Sequence, residues 1–221
     1  MHDVIENLNL IKNKVSKIVQ EKQLKTDPRI IVVTKKFTID KILPLVEKNH
    51  LDFGENKVQE AEDKWTNVKS NYPNLKLHMI GKLQSNKAKK AIALFDYIHS
   101  LDNAKLASKI SNFEKELGKK TKLFIQVNIA DETQKSGVLV NDLDAFYHYC
   151  TNEISLDIIG LMCLPPIDAN SEDFYKILKN LANKLGLKHL SMGMSSDYQN
   201  ALVEGSTYLR LGTSIMGPRD K

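Results

Sequence analysis

The chain has 221 residues, 42% apolar and 27% charged, the balance of an ordinary soluble globular protein. No run nears the ~18 apolar residues of a membrane span, the acidic start "MHDVIENLNLIKNK" lacks a signal-peptide core, and two cysteines, Cys150 and Cys163, make neither a disulfide framework nor a metal cluster. The net charge of +5 is nearly all lysine, mixed with 27 acids and without an arginine-rich block or aromatic stripe, so a solvated surface is expected in place of a nucleic-acid or membrane partner, in a reducing, cytoplasmic setting.

Val4, Leu8, Ile11, Val15 and Ile18 recur at helical spacing, so the chain opens on an amphipathic helix. The stretch "RIIVVT" then reads as a buried strand that runs directly into Lys35 and Lys36. Thr38 is a candidate N-cap for a helix carrying Ile39, Leu43 and Val46. A short strand at 51–55 precedes a stripe of Val58, Ala61, Trp65 and Val68. A strand at 76–81 leads to Ser85 and a helix through Ala88, Ile92 and Phe95. After the strand at 97–102, Leu106, Ile110, Phe113 and Leu117 mark a helix ending at Gly118. "KLFIQVNI" at 122–129 is a strand, and a helix through Leu143, Phe146 and Cys150 follows. A strand at 156–164 leads to a helix of Phe174, Ile177, Leu181 and Leu185 that ends at Gly186. Strands at 189–194 and 208–213 close the series, with a weak helix near 197–204 between them.

Eight apolar strands, with a helix after each of the first seven, require parallel pairing and right-handed crossovers. An open doubly wound sheet and a closed (β/α)8 TIM barrel both satisfy that pattern. The count of eight favours the barrel, and the extra N-terminal helix would fill the place left empty after strand eight. No linker or repeat interrupts residues 1–221, so one domain is expected.

Chemistry in such a barrel gathers at the C-terminal ends of the strands. Lys35 falls there, as do Gly54-Glu55-Asn56, Gly81, Asp102, Asn128, Met162, Ser195-Ser196 and Gly212-Thr213. The hydroxyls of Ser195 and Ser196, next to the glycine of "RLGT", suit a phosphate between strands seven and eight. The alternative for the serines is helix capping. Arg210, the one charge in "YLRLG", needs an anionic or acceptor partner, and an ion pair with Asp197 or Glu204 would serve. A lysine amine, a phosphate cradle and an arginine together describe a site for pyridoxal 5′-phosphate, with Lys35 as the Schiff-base amine and Arg210 at the ring nitrogen.

The blocks "VVTKKF", "DFGENKVQEAEDKW", "HMIGKLQSNKAKK", "GLMCLPP" and "LSMGMSSDYQNALVEGSTYLRLGTSIMGPRD" resemble the pyridoxal phosphate homeostasis family, whose fold is similar to the barrel domain of alanine racemase. The resemblance spans about residues 30–220. It implies that Lys35, which follows Thr34, holds the cofactor and not Lys36. It implies that Arg210 faces the ring nitrogen and that Ser195, Ser196, Gly212 and Thr213 bind phosphate. Asn56 and His78 lie in matching motifs near the ring, though His78 also suits a satisfied histidine of the barrel wall. Lys135 in "DETQKSG" is a second amine near the site, with an exposed lysine as the plain reading. Racemase takes its opposite-face tyrosine from a second, β-rich domain, for which no counterpart is expected here. The resemblance therefore implies a carrier or buffer of the cofactor without turnover, with enzymes that need it as recipients. A weak single-domain racemase, a lysine aldolase on sugar phosphates and a nucleic-acid binder are the rival readings. A monomer is expected over a dimer, because no apolar stripe is left over once the helices are packed.

Overall fold

The computed structural model describes residues 3–132, 134–166 and 169–218. Eight parallel strands form a closed barrel: β1 (Arg29–Val33), β2 (Asp52–Glu55), β3 (Lys76–Met79), β4 (Tyr97–Leu101), β5 (Lys122–Asn128), β7 (Ile158–Met162), β8 (His189–Ser191) and β9 (Tyr208–Leu211). They pair in chain order, and β9 returns to β1 with Ile31 opposite Arg210 and Val32 opposite Leu211. A two-residue strand, β6 (Val138–Leu139), lies on β5 outside the ring. The closed barrel foreseen from the eight repeats is present, and the open sheet is excluded.

Helix α1 (Val4–Glu21) begins at Asp3, whose carboxylate accepts the N–H groups of Ile5 and Glu6 at 2.8 and 3.1 Å. Its buried face is Val4, Leu8, Ile11 and Val15. Each such side chain contributes roughly 1.5–3 kcal/mol by leaving water. The helix lies against α2 (Ile39–Glu47), α8 (Tyr198–Val203) and the short α9 (Thr213–Met216). Asn7 donates to the Ile215 carbonyl at 3.1 Å. The N-terminal helix thus fills the place beside the last strand, as its apolar stripe requires.

Several local expectations differ in detail. Thr38 is the N-cap of α2, but its side chain makes no capping bond. The stretch from Ser85 is a 3₁₀ turn (Ser85–Lys87) before α4 (Ala88–Leu94). Gly118, with φ of 59°, ends α5 (Ala104–Leu117) in the left-handed conformation that glycine tolerates best.

Two apolar regions sit on either side of the strands. The larger joins the helices to the outward side chains of the sheet. The smaller lies inside the ring, where Ile31, Tyr97, Phe124, Met162 and Tyr208 pack with the rings of His78 and His99. This aromatic plug fills the barrel interior, so the barrel is no pore.

Candidate functional site at the strand ends

The strand "RIIVV" ends at Val33, and Thr34 adds one more ladder bond, its N–H to the Gly54 carbonyl at 3.0 Å. Lys35 and Lys36 then form a turn closed by the Phe37 N–H on the Thr34 carbonyl at 3.1 Å. Lys36 takes a φ of 67°, costly for a side-chain-bearing residue, and its N–H is held by the Glu60 carboxylate. Lys36 is exposed, whereas Lys35 is half-buried at the rim of the ring.

A buried clamp fixes this turn from beneath. Glu55 Oε1 accepts from Thr34 Oγ1 at 2.7 Å, Lys64 Nζ at 2.8 Å and Trp65 Nε1 at 3.0 Å. Lys64 also donates to the Thr34 carbonyl at 2.9 Å and to Glu60 at 3.1 Å. Lys64 and Trp65 come from α3 (Val58–Asn71), whose apolar stripe was legible but whose buried lysine was not.

Next to β1, the ends of β8 and β9 converge. Ser195 does not cap α8; Asp197 occupies that position. Ser195 Oγ instead accepts the N–H groups of Gly212 and Ser214 at 3.2 and 3.3 Å and lies 3.1 Å from Ser214 Oγ. Ser214 belongs to this cradle and was not singled out from the sequence, although it follows the "LGT" that marked the loop. Gly212 has a negative φ, and a Cβ there would come no nearer than 3.5 Å to Val33. Packing therefore tolerates a side chain at 212, and the open space beside Val33 suits a ligand group. The donors fit a phosphate, and no acid among the described residues is bonded to them. Thr213 and Ser196 are exposed. Ser196 faces a separate cavity of about 330 Å³ with Pro165, Asn170 and Asn200.

Arg210 is 4% exposed. Neither anticipated acid meets it: Asp197 accepts from Tyr175 Oη and the Met194 N–H, and Glu204 pairs with Lys179. Its Nη1 donates to Ser191 Oγ at 2.7 Å and its Nη2 to the Cys163 carbonyl at 2.9 Å. Burial lowers its pKa from the ordinary arginine value, yet a guanidinium keeps its proton. A buried cation with only neutral hydrogen-bond partners has donor capacity left for an acceptor ligand.

Asn56 and Gly81 meet at the same end of the ring, just after β2 and β3. A Cβ on Gly81 would lie 2.4 Å from the Asn56 carbonyl oxygen, so only glycine lets these two segments touch. That contact joins the "GEN" and "IG" motifs physically. Asn56 Oδ1 is buried without a partner and borders a cavity of about 440 Å³, which Gly81, Gln126, Asn128, Lys135 and Met194 also line. Lys135 is ion-paired with Glu132 at 2.5 Å.

His78 has the partners of a satisfied histidine of the barrel wall. The ring is fully buried inside the barrel, stacked on Tyr97 at 4.4 Å, and both nitrogens have protein partners, His99 and Asp52. Arg219 and Asp220 of the last motif lie outside the described residues.

The family model for the alanine racemase N-terminal domain matches residues 7–220. A pyridoxal phosphate homeostasis protein of Synechocystis sp. is 36% identical over 200 residues, covering 86% of this chain and 91% of that protein. The chain belongs to the pyridoxal phosphate homeostasis family. A further member, from Haemophilus influenzae, is 32% identical and covers 99% of this chain and 97% of its own length. Among solved structures, PipY of Synechococcus elongatus PCC7942 with PLP bound superposes with a TM-score of 0.86 at 32% identity, covering 97% of this chain and all of that one. PipY thus shares this barrel along nearly its whole length. No helix among the described residues is long and apolar enough to cross a membrane.

Proposed function

We propose that this chain binds pyridoxal 5′-phosphate through a Schiff base to Lys35 and acts in intracellular homeostasis of that cofactor, as a carrier or buffer without catalytic turnover. The observation that supports it most is the placing of Lys35, Arg210 and the Ser195–Gly212–Ser214 cradle on adjoining strands at one end of the ring. PipY, of the same fold, was solved with PLP bound. The cofactor supplies an aldehyde that an amine takes up reversibly and a ring that can accept electrons.

The rest falls to this chain's residues. The clamp of Glu55, Lys64 and Glu60 orients the turn that presents Lys35. The N–H groups of Gly212 and Ser214, which now meet Ser195 Oγ, and the hydroxyls of Ser195 and Ser214 would turn to hold the phosphate, with Thr213 beside them. Ser196 faces the neighbouring cavity and would reach the phosphate only after a turn of its loop. Asn56 offers an unpaired buried oxygen at the end of the neighbouring strand β2. Arg210 presents a donor where an acid would present a proton, so the ring nitrogen stays unprotonated and carbanion chemistry is restrained. That electronic restraint favours holding the cofactor over turning substrate over, and reversible covalent binding suits its transfer to recipient enzymes.

Borohydride treatment of the loaded protein should add the cofactor mass to the peptide carrying Lys35, and Lys35→Ala should abolish both that mass and the visible absorbance. Attachment at Lys36, or none, would refute the assignment. Sustained interconversion of amino-acid enantiomers by the intact protein, lost in Lys35→Ala, would make it a racemase.

A further inference from the structure

Arg210 is one end of a continuous hydrogen-bonded chain through the barrel. Ser191 Oγ accepts from Arg210 Nη1 at 2.7 Å and lies 2.7 Å from His99 Nδ1. His99 Nε2 is 3.0 Å from His78 Nδ1, and His78 Nε2 is 2.9 Å from Asp52 Oδ1. Ser191, His99 and His78 are completely buried. The two rings are held flat, His78 on Tyr97 and His99 on Phe124 at 4.3 Å. Asp52 opens β2 at the barrel's other face, where its carboxylate is partly exposed and Arg29 stands 3.6 Å away.

The ends of this chain dictate its direction. A guanidinium only donates and an ionised carboxylate only accepts. With both imidazoles neutral, every link is satisfied in one way alone. Arg210 donates to Ser191, the Ser191 hydroxyl to His99 Nδ1, His99 Nε2–H to His78 Nδ1, and His78 Nε2–H to Asp52. Burial pushes the pKa of both histidines below the ordinary value, and His78 lowers that of Asp52, which keeps these charge states in place. Each donor in a one-directional chain polarises the next, so Ser191 becomes a stronger acceptor for Arg210.

We infer that Ser191, His99, His78 and Asp52 are positioning residues, a one-directional relay that orients Arg210 toward the cofactor ring from the far face of the barrel. This rests on the reading of Arg210 given above. It extends the functional unit from the rim to a carboxylate at the opposite end and assigns His78 an indirect role.

Two measurements test it. In cofactor-free protein labelled with ¹⁵N-histidine, both His78 and His99 should be neutral with the proton on Nε2. Either ring protonated on Nδ1 would overturn the relay. In loaded protein, Asp52→Asn, which keeps the side-chain shape and an acceptor oxygen but removes the charge, should release cofactor about tenfold faster, the difference between a charge-assisted and a neutral hydrogen bond. It should also shift the bound cofactor's absorbance, and Asp52→Glu should restore part of both. His99→Gln should act in the same direction, and the exposed control Asp40→Asn should change neither. If Asp52→Asn folds and leaves both readouts at parental values, the relay only supports the fold and the inference is wrong. Failure of the parent protein to take up cofactor would instead overturn the proposed function and remove the relay's target, while the tautomers remain readable in the empty chain.

Discussion

Replacing Lys64 with methionine removes the amine that clamps the Lys35 turn while keeping the length of the side chain. Lys64 is 8% exposed, and the carboxylate it faces, Glu55, is wholly buried. The change deletes three hydrogen bonds at once, to Thr34, Glu55 and Glu60. It strands a buried carboxylate whose remaining donors are Thr34 and Trp65 and whose Oε2 already has no partner. Breaking a buried pair by removing one partner costs about 3–5 kcal/mol. At about 2–4 °C per kcal/mol for a chain of this size, Lys64→Met should melt roughly 6–20 °C lower. A urea titration should show the same loss as a lower midpoint with an unchanged slope. The double variant Glu55→Gln with Lys64→Met removes both charges and should recover about 2 kcal/mol or more of the deficit. Cofactor retention should fall in the single variant, because the turn presenting Lys35 loses its anchor. A loss below about 1 kcal/mol, as for an exposed ion pair, would show that the pair is solvated and refute the clamp.

Three further outcomes follow from the geometry. Gly212→Ala should cost about 1 kcal/mol or less in stability, since its Cβ meets nothing closer than 3.5 Å, yet weaken cofactor binding at least about tenfold in an absorbance titration; equal affinity would remove Gly212 from the phosphate cradle. Burial lowers the pKa of His50 to about 4, so the unfolded chain binds the proton first as the pH falls. Stability owed to the neutral ring is complete above about pH 6.5 and is lost progressively toward pH 4, by about 3 kcal/mol; denaturant titrations of His50→Asn should show a correspondingly flatter slope across that window, and a parental slope would contradict the assignment. Burial pushes the thiols of Cys150 and Cys163 up to about 12, so a thiol reagent at pH 8 should label neither in the native protein and both after unfolding.

The sequence alone determined the succession of strands and helices and favoured the barrel. Apolar runs and helical stripes are local signals, written over a few residues each, and eight strands with seven following helices and a surplus N-terminal helix favour the closed barrel over the open sheet. The residues at the strand ends were legible for the same reason: the fold decides which end carries chemistry, and a lysine, two serines, an arginine and a glycine stand out there. Tertiary structure alone decided how those groups are held. Lys64 reads as one of many surface lysines until α3 lays it over Glu55. Ser191, His99, His78 and Asp52 sit on four strands, separated by up to 139 positions in the sequence, and nothing local marks them as partners. His78 looked like a rim contact because its motif lies near the strand end, but the alternation of the strand turns it into the ring. Hydrogen bonds and ion pairs between distant strands depend on register and on ångström-scale approach, which closure of the barrel creates and a one-dimensional pattern does not contain.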